Sequence, residues 1–471
     1  MNRYKKLFSD TAILGLGTFG SKLLVFLLMP LYTAYLTTSQ YGTAELITST
    51  ANLLIPFACV GITNGIFRFA AERDADRKAV FSSSIALLGV GTGIFLLLSS
   101  LLGLVDYFHG YRWLIILYVV LANVQAVCAQ YVRAIDRPKL FAFQGILNTL
   151  LTVLLNVLFL VVWNMGVVGY VLSVVLGNLI TSIFLFFAAK LWCVLRISSV
   201  QGEMMKELVR FSLPMVPTTI CWLITDLSDR YLVTWFCGDA VNGVYSAAYK
   251  IPTLISIVSG IFMQAWQFSA VAQTSDQEDR KHFYSQVFSG FLSVIMIGTV
   301  GLILLSEFFT GLLLDEAYAR AAYYMPTLIC SASLSAIVSF LASVYMVTKR
   351  SMNSFVTAIS GAVLNVVLNL IMIPHMGALG AAIATLASYA LVLLLRMFDV
   401  PRLLPFDLCL PRFLISFALV LASCCLMTAR PGGWWLPVLI VCTVTTVGVN
   451  ALPLLKSVRE VLTHRRGSVQ K

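Results

Sequence analysis

Apolar residues run in blocks of about twenty along the chain from residue 11 to residue 455, separated by short stretches holding charge, Pro, Gly and Asn. A helix rising 1.5 Å per residue needs ~20 residues to cross ~30 Å of hydrocarbon. Cutting the blocks at those interruptions predicts fourteen membrane-spanning helices, near 11–34, 44–67, 81–104, 112–132, 140–162, 168–189, 212–235, 243–269, 285–306, 322–347, 354–373, 378–397, 411–428 and 434–454. No interruption is long enough for a separate soluble domain. The run from Thr11 to Leu36 exceeds a secretory h-region of ~7–15 residues, so it is read as the first span.

Composition agrees with the pattern. Only 11% of the 471 residues are charged and 59% are apolar, whereas a soluble chain carries roughly 25% charged residues. A water-soluble enzyme is excluded. The formal charge of +11 could point to nucleic acid, to an anionic membrane face or to an anionic substrate, and position decides among them. With the N-terminus inside, the outer side receives only Arg112, Arg320 and Arg430. Lys22, Arg230 and Lys250 fall within spans, and every other Lys and Arg, Arg396, Arg402 and Arg412 among them, goes to the inner side. This bias supports the count and places both termini in the cytoplasm. Nucleic acid is not needed to explain the charge.

The chain also repeats itself. LLNVLFLVVWNMGVVGYVLS (154–173) and VLNLIMIPHMGALGAAIATL (367–386) share an L-N pair and an M-G-x-x-G that opens the next helix; TSQYGTAELI (38–47) is echoed by DAVNGVYSAAYK (239–250). The expected organisation is a six-helix bundle at 1–196, a cytoplasmic linker at 197–210, a second six-helix bundle at 211–400, and two extra helices with a basic tail at 401–471. Because six is even, both halves enter the membrane in the same direction, which implies a pseudo-two-fold axis along the membrane normal and a cavity between the halves.

Ionisable residues at mid-membrane cost ~2.5–3.5 kcal/mol on insertion scales, so each is a functional candidate. Thr18 and Lys22 share a face of the first span. Glu45, Thr48, Ser49 and Asn52 share one on the second, Trp222, Asp226, Asp229 and Arg230 on the seventh, and Ser246, Tyr249, Lys250 and Thr253 on the eighth. The structural alternative is that Asp226 or Asp229 neutralises Arg230, and that Lys22 and Glu45 snorkel to the interface. Six charges exceed what one structural pair would use, which favours a polar cleft. On the fifth and eleventh spans, Gln144, Asn148, Thr152 and Asn156, and Asn353, Thr357, Gly361, Asn365 and Asn369, are read as helix-to-helix joints.

Catalytic and cofactor motifs are absent. There is no H-E-x-x-H, P-loop, G-x-S-x-G or Gly-rich dinucleotide fingerprint, and the GVGTG at 89–93 reads as helix packing. Cys59, Cys128, Cys330, Cys424 and Cys442 lie in apolar runs without C-x-x-C spacing, as small buried residues. The reading is a transporter, not an enzyme, with no cofactor and no metal.

YLTTSQYG (35–42), GITNGIFRF (61–69), YVRAIDRPKL (131–140), FSLPMVP (211–217), LSDRYLVTWFCGDAVNGVYSAAYK (227–250) and MGALGAAIA (376–384) resemble the polysaccharide transporter family, the O-antigen and capsule repeat-unit flippases. That family sits in the superfamily of multidrug extruders and the peptidoglycan lipid flippase. The resemblance implies an all-α, V-shaped pair of six-helix bundles in a bacterial inner membrane. It further implies that an undecaprenyl-pyrophosphate-linked oligosaccharide for O-antigen, lipopolysaccharide or capsule is carried outward, with H+ or Na+ as coupling ion and a polysaccharide polymerase machinery as partner alongside membrane lipids. Asp229 and Arg230 match the family's D-R, and Lys250 its basic position after G-x-Y-x-x-A-x-K. The expected substrate-binding set is Lys22, Asn52, Trp222, Arg230, Tyr249 and Lys250, and Glu45, Asp226 and Asp229 are the ion-coupling acids. A cation-coupled multidrug extruder is the alternative.

Overall fold

The computed structural model describes residues 24 and 26–467, apart from 72–75, 101–109, 136, 214–215, 272–276 and 349. Among the described residues all regular structure is helical, with no strand. The chain is an all-α, multi-pass membrane protein. Among the described residues, ten helices are long and apolar enough to cross a bilayer, or eleven if one bent pair forms a single span.

Two compact units divide the chain, Met1–Tyr231 and Leu232–Lys471. The first holds α1 (Met29–Tyr35), α2 (Thr38–Ala58), α3 (Ile62–Ala70), α4 (Arg77–Leu98), α5 (Arg112–Ala134), α6 (Pro138–Asn156), α7 (Gly166–Ala188) and α8 (Gly202–Ser212). The division falls inside α9 (Val216–Cys237), after Tyr231. The second unit continues with α10 (Asp239–Lys250), α11 (Thr253–Val271), α12 (Gln277–Leu304), α13 (Ser306–Leu313), α14 (Ala321–Val347), α15 (Ser351–Met376), α16 (Ala378–Leu403), α17 (Leu410–Ala429) and α18 (Trp435–Gly467).

The first expected span lies mainly outside the described residues. Three others depart from a plain apolar helix, each for a physical reason. The second is broken into α2 and α3, because Val60 and Gly61 both take positive φ (50° and 67°), a left-handed turn no helix continues through. The seventh, α9, is continuous but carries Asp226, Asp229 and Arg230, too much charge for a plain apolar span. The eighth is the bent pair, α10 and the start of α11, turned by 43°.

The sequence repeat has a structural counterpart in the pairs α6–α7 and α15–α16. In each, the first glycine of M-G-x-x-G takes a positive φ, 55° at Gly166 and 62° at Gly377, which lets the chain reverse at no steric cost. The second lies against the preceding helix: a Cβ on Gly169 would sit 3.0 Å from that of Phe159, and one on Gly380 only 2.6 Å from the Met372 carbonyl oxygen. Amides then join the helices. Asn148 donates to Asn178 (3.2 Å), Asn365 donates to Thr385 (3.2 Å), and Gln125 donates to Gln144 (2.7 Å), as small and amide residues do where lipid offers no hydrophobic drive between helices.

Of the GVGTG glycines, Gly91 alone is tightly seated. A Cβ there would lie 2.3 Å from the backbone oxygen of Ala58, while Gly89 and Gly93 have nothing within 4 Å. Gly91→Ala is therefore expected to cost at least about 1–3 kcal/mol through overpacking against rigid backbone. Gly93→Ala should leave stability unchanged or raise it by up to ~1 kcal/mol. Thermal midpoints of the two detergent-solubilised variants check this, and equal midpoints would remove Gly91 as a packing site.

Arg396 corrects the sequence reading, which put it in the last turn of the twelfth span and counted it with the inner-side charges. Helix α16 runs on to Leu403, so Arg396 lies two turns inside it and is fully buried. Its Nη1 donates to the Val338 carbonyl of α14 (2.7 Å), its Nε to the Thr357 hydroxyl of α15 (3.1 Å), and its guanidinium lies 5.5 Å from the centre of the Tyr345 ring. One turn on, Asp399 accepts from Asn353 at 2.9 Å. A charge that hydropathy sends to water instead ties three helices together. The five cysteines singled out above are buried, and all ten cysteines are free thiols.

Candidate functional site

In the first unit a carboxylate is enclosed by hydroxyls and a guanidinium. The geometry begins with the start of α2, where Thr37 caps the helix: its hydroxyl accepts from the Gln40 N–H (3.2 Å) and the Gln40 side chain accepts from the Thr37 N–H (3.1 Å). This T-x-x-Q box fixes the first turn, so Tyr41 and Glu45, four apart, face the same way. The reversal at Gly166, whose Cβ position is 3.3 Å from the Gln40 amide nitrogen, starts α7 beside that turn and brings Tyr170 to the same place.

Glu45 is buried, with its side chain 4% exposed. The hydroxyls of Tyr41 and Tyr170 donate to Oε1 at 3.1 and 2.8 Å, and Arg230 Nη1 of α9 donates to Oε2 at 2.9 Å and to the Ser49 hydroxyl at 2.8 Å. Tyr32 of α1 completes an aromatic wall, its ring centre 4.8 Å from Tyr170 and 6.3 Å from Tyr41. Beside the pair, Tyr231 donates to Thr50 (3.0 Å) and ties α9 to α2 a second time. Both carboxylate oxygens are thus engaged. An ionised group so far out of water is tolerated only when paired and hydrogen-bonded.

The expected residues fall into four groups. Glu45 and Arg230 are brought together, so an acid on another helix, four residues after Tyr41, meets Arg230. Asp229 is buried on α9, and Asn52 is exposed on α2. Tyr249 and Lys250 end α10 in the second unit, both half-buried. Lys22 lies outside the described residues, as do the side chains of Trp222 and Asp226 on α9.

Sequence reasoning missed the tyrosines. Tyr41 carried a usable signal, four residues before an intramembrane acid, and Tyr170 follows directly on M-G-x-x-G; Tyr32 carried none. The second unit repeats the frame without the acid. Counting from Gly42 and Gly243, Glu45 corresponds to Ser246, Tyr41 to Asn242 and Ser49 to Lys250; counting from Gly166 and Gly377, Tyr170 corresponds to Ala381. There Ser246 donates to the Asn242 side chain at 3.4 Å, both fully buried. Among the described residues, no cluster of three His, Cys, Asp or Glu side chains could hold a metal.

Residues 7–268 match the model of a family described as polysaccharide biosynthesis protein. No curated protein matches the sequence significantly. Among solved structures, the chain resembles the lipid II flippase MurJ in an inward closed conformation, with a TM-score of 0.67 at 14% identity over 93% of this chain and 98% of that one. It also resembles an outward-facing multidrug resistance MATE family transporter of the MOP superfamily, with a TM-score of 0.59 at 16% identity over 84% and 96%. A third likeness is to the MATE multidrug transporter DinF-BH, with a TM-score of 0.60 at 18% identity over 86% and 98%. These likenesses establish a shared fold.

Proposed function

We propose, from the premise that this chain belongs to the polysaccharide biosynthesis protein family, that it is a membrane transporter flipping a lipid-linked oligosaccharide by alternating access. The proposed cargo is an undecaprenyl-pyrophosphate-linked repeat unit of O-antigen, capsule or exopolysaccharide. It would move from the cytoplasmic to the outer leaflet of a bacterial inner membrane, for delivery to a polymerase machinery.

The observation that supports this reading is Arg230, a guanidinium held inside the membrane-embedded first unit by Glu45 and Ser49. The lipid tail of such a cargo can stay in the bilayer while its pyrophosphate cannot cross unaided, because desolvating it costs far more than neutral hydrogen bonds return. A guanidinium offers paired donors to phosphate oxygens. Glu45 keeps that cation compensated while no anion is present, and an arriving diphosphate would compete with it. On this reading Asn52, Trp222, Tyr249, Lys250 and Lys22 contribute contacts to the head group. Glu45, Asp226 and Asp229 are the acids through which H+ or Na+ would drive return of the carrier. An intramembrane cation at the centre of the site disfavours a cationic drug as cargo.

The test is complementation of a strain lacking this transporter. Arg230→Gln, at matched membrane expression, is expected to reduce surface polysaccharide at least tenfold, the size of a lost charge-assisted hydrogen bond of about 1.5–3 kcal/mol, and Arg230→Lys should restore part of it. Normal polysaccharide from Arg230→Gln would overturn the role given to this residue. Intact polysaccharide in the deletion strain, with hypersensitivity to cationic dyes, would overturn the cargo.

A further inference from the structure

The segment joining α7 to α9 is fastened to the first unit along one side. Leu191 is fully buried in the apolar cluster of Ile66, Ala70, Val80 and Phe81. The backbone N–H groups of Arg196 and Gln201 donate to the hydroxyls of Ser82 (3.0 Å) and Ser83 (3.1 Å) near the start of α4, and Ser82 donates to the Val194 carbonyl at 3.3 Å. Helix α8 then buries Leu208 and Ser212 against α3. The approach depends on glycine: a Cβ on Gly65 would lie 2.6 Å from the Ser212 hydroxyl, and one on Gly61 3.0 Å from the Val216 side chain.

The other side of this segment is apolar and cationic together. Trp192, Leu195 and Ile197 are exposed, Ile197 at 93%. The Trp192 ring lies 5.4 Å from that of Phe187 and 6.2 Å from that of Phe186, in the last turn of α7. Because α7 is one of the ten apolar spans, this contact sets Trp192 at the edge of the hydrocarbon, where indole rings settle. Lys190 and Arg196 flank it, and Arg77 and Lys78 open α4 one turn before Ser82; all four are exposed. The charges of α8, Glu203 and Glu207 against Lys206 and Arg210, balance one another.

We propose that residues 190–197 and the first turn of α4 form a docking surface for anionic phospholipids of the bilayer. In it, Trp192 and Ile197 enter the head-group and acyl border while Lys190, Arg196, Arg77 and Lys78 meet lipid phosphates. Apolar side chains this exposed would be a liability facing water and are in place facing lipid. The surface is continuous with the lipid-facing end of α7, and its charge is opposite to that of the lipid it binds. It does not depend on what the transporter carries. Since α8 leads directly into α9, bound lipid would hold in place the root of the helix that bears Arg230.

The full-length protein, reconstituted in phosphatidylcholine bilayers doped with brominated phosphatidylglycerol or brominated phosphatidylcholine, tests this. The fluorescence of Trp192 is obtained as wild type minus Trp192→Phe. It should be quenched by both lipids, and several-fold more effectively by the anionic one. In Lys190→Asn/Arg196→Gln, where Asn suits the positive φ of residue 190 (54°), the preference should be largely lost, each cation near an anionic surface being worth up to roughly fivefold. Trp192 left unquenched would assign this face to a water-side partner and overturn the proposal. Equal quenching by the two lipids, or a preference the double variant keeps, would overturn it as well. Loss of polysaccharide transport plays no part in the readout, so the cargo assignment can fail while this stands.

Discussion

Glu45→Leu is expected to destabilise the first unit by about 3–5 kcal/mol, the range seen when one partner of a buried ion pair is removed. Arg230, with 14% of its side chain exposed, would keep its charge while losing an acceptor 2.9 Å away. The hydroxyls of Tyr41 and Tyr170 would lose theirs too. The informative comparison is Glu45→Leu/Arg230→Leu. Replacing both charges by apolar residues of similar size often costs nothing or stabilises, so the double variant should recover the part of the lost thermal midpoint due to the stranded guanidinium, while the part due to the Tyr41 and Tyr170 hydroxyls remains. It should nevertheless fail to export polysaccharide, because the cation assigned to the diphosphate is gone. A double variant as unstable as Glu45→Leu would mean that the pair is not what holds α2 and α9 together. One that is stable and transports normally would separate the pair from function altogether.

Arg396 gives the second large effect. Its guanidinium joins α14, α15 and α16 through Val338, Thr357 and Tyr345, and its stem is fully buried. Arg396→Ala should cost about 2–5 kcal/mol, as expected for deleting a large buried side chain that leaves a cavity. Arg396→Met retains most of the volume without the charge and should cost about half as much. Thermal midpoints of the pair decide which contribution dominates: equal losses would assign the effect to the charge and its hydrogen bonds, and a small loss for Met would assign it to packing.

Both predictions rest on residues that the sequence exposes unequally. The helical, membrane-embedded architecture was legible because the period and length of apolar blocks are dictated by the bilayer itself. The repeat was legible because M-G-x-x-G needs glycine twice, once for a left-handed turn at Gly166 and Gly377 and once for close approach at Gly169 and Gly380. Glu45 and Arg230 stood out as charges where lipid should exclude them. Their pairing did not, since they are far apart along the chain and helical periodicity relates only neighbours on one helix. Tyr32, Tyr41 and Tyr170 were hidden for a different reason: tyrosine is common in membrane helices, and only the acceptor it faces gives it a role. Arg396 was misread because it falls in the last turn of the predicted twelfth span, where a charge is counted with the inner-side loops, whereas here the helix runs on and the charge is satisfied inside the fold.

The repeat carries an evolutionary corollary. If the two halves descend from one ancestral gene segment copied in tandem, the scaffold has been inherited by both and the acid with its tyrosines by only one, since Ser246, Asn242 and Ala381 stand where Glu45, Tyr41 and Tyr170 would be. Mutational drift should then run at different speeds in the two copies. Small neutral replacements at Ser246 should be shed and regained freely, while those at Glu45 should be purged. An acid installed at Ser246 would share its helix face with Lys250 one turn on, but would lack the tyrosine hydroxyl that reaches Glu45 from α7, since Ala381 stands in its place.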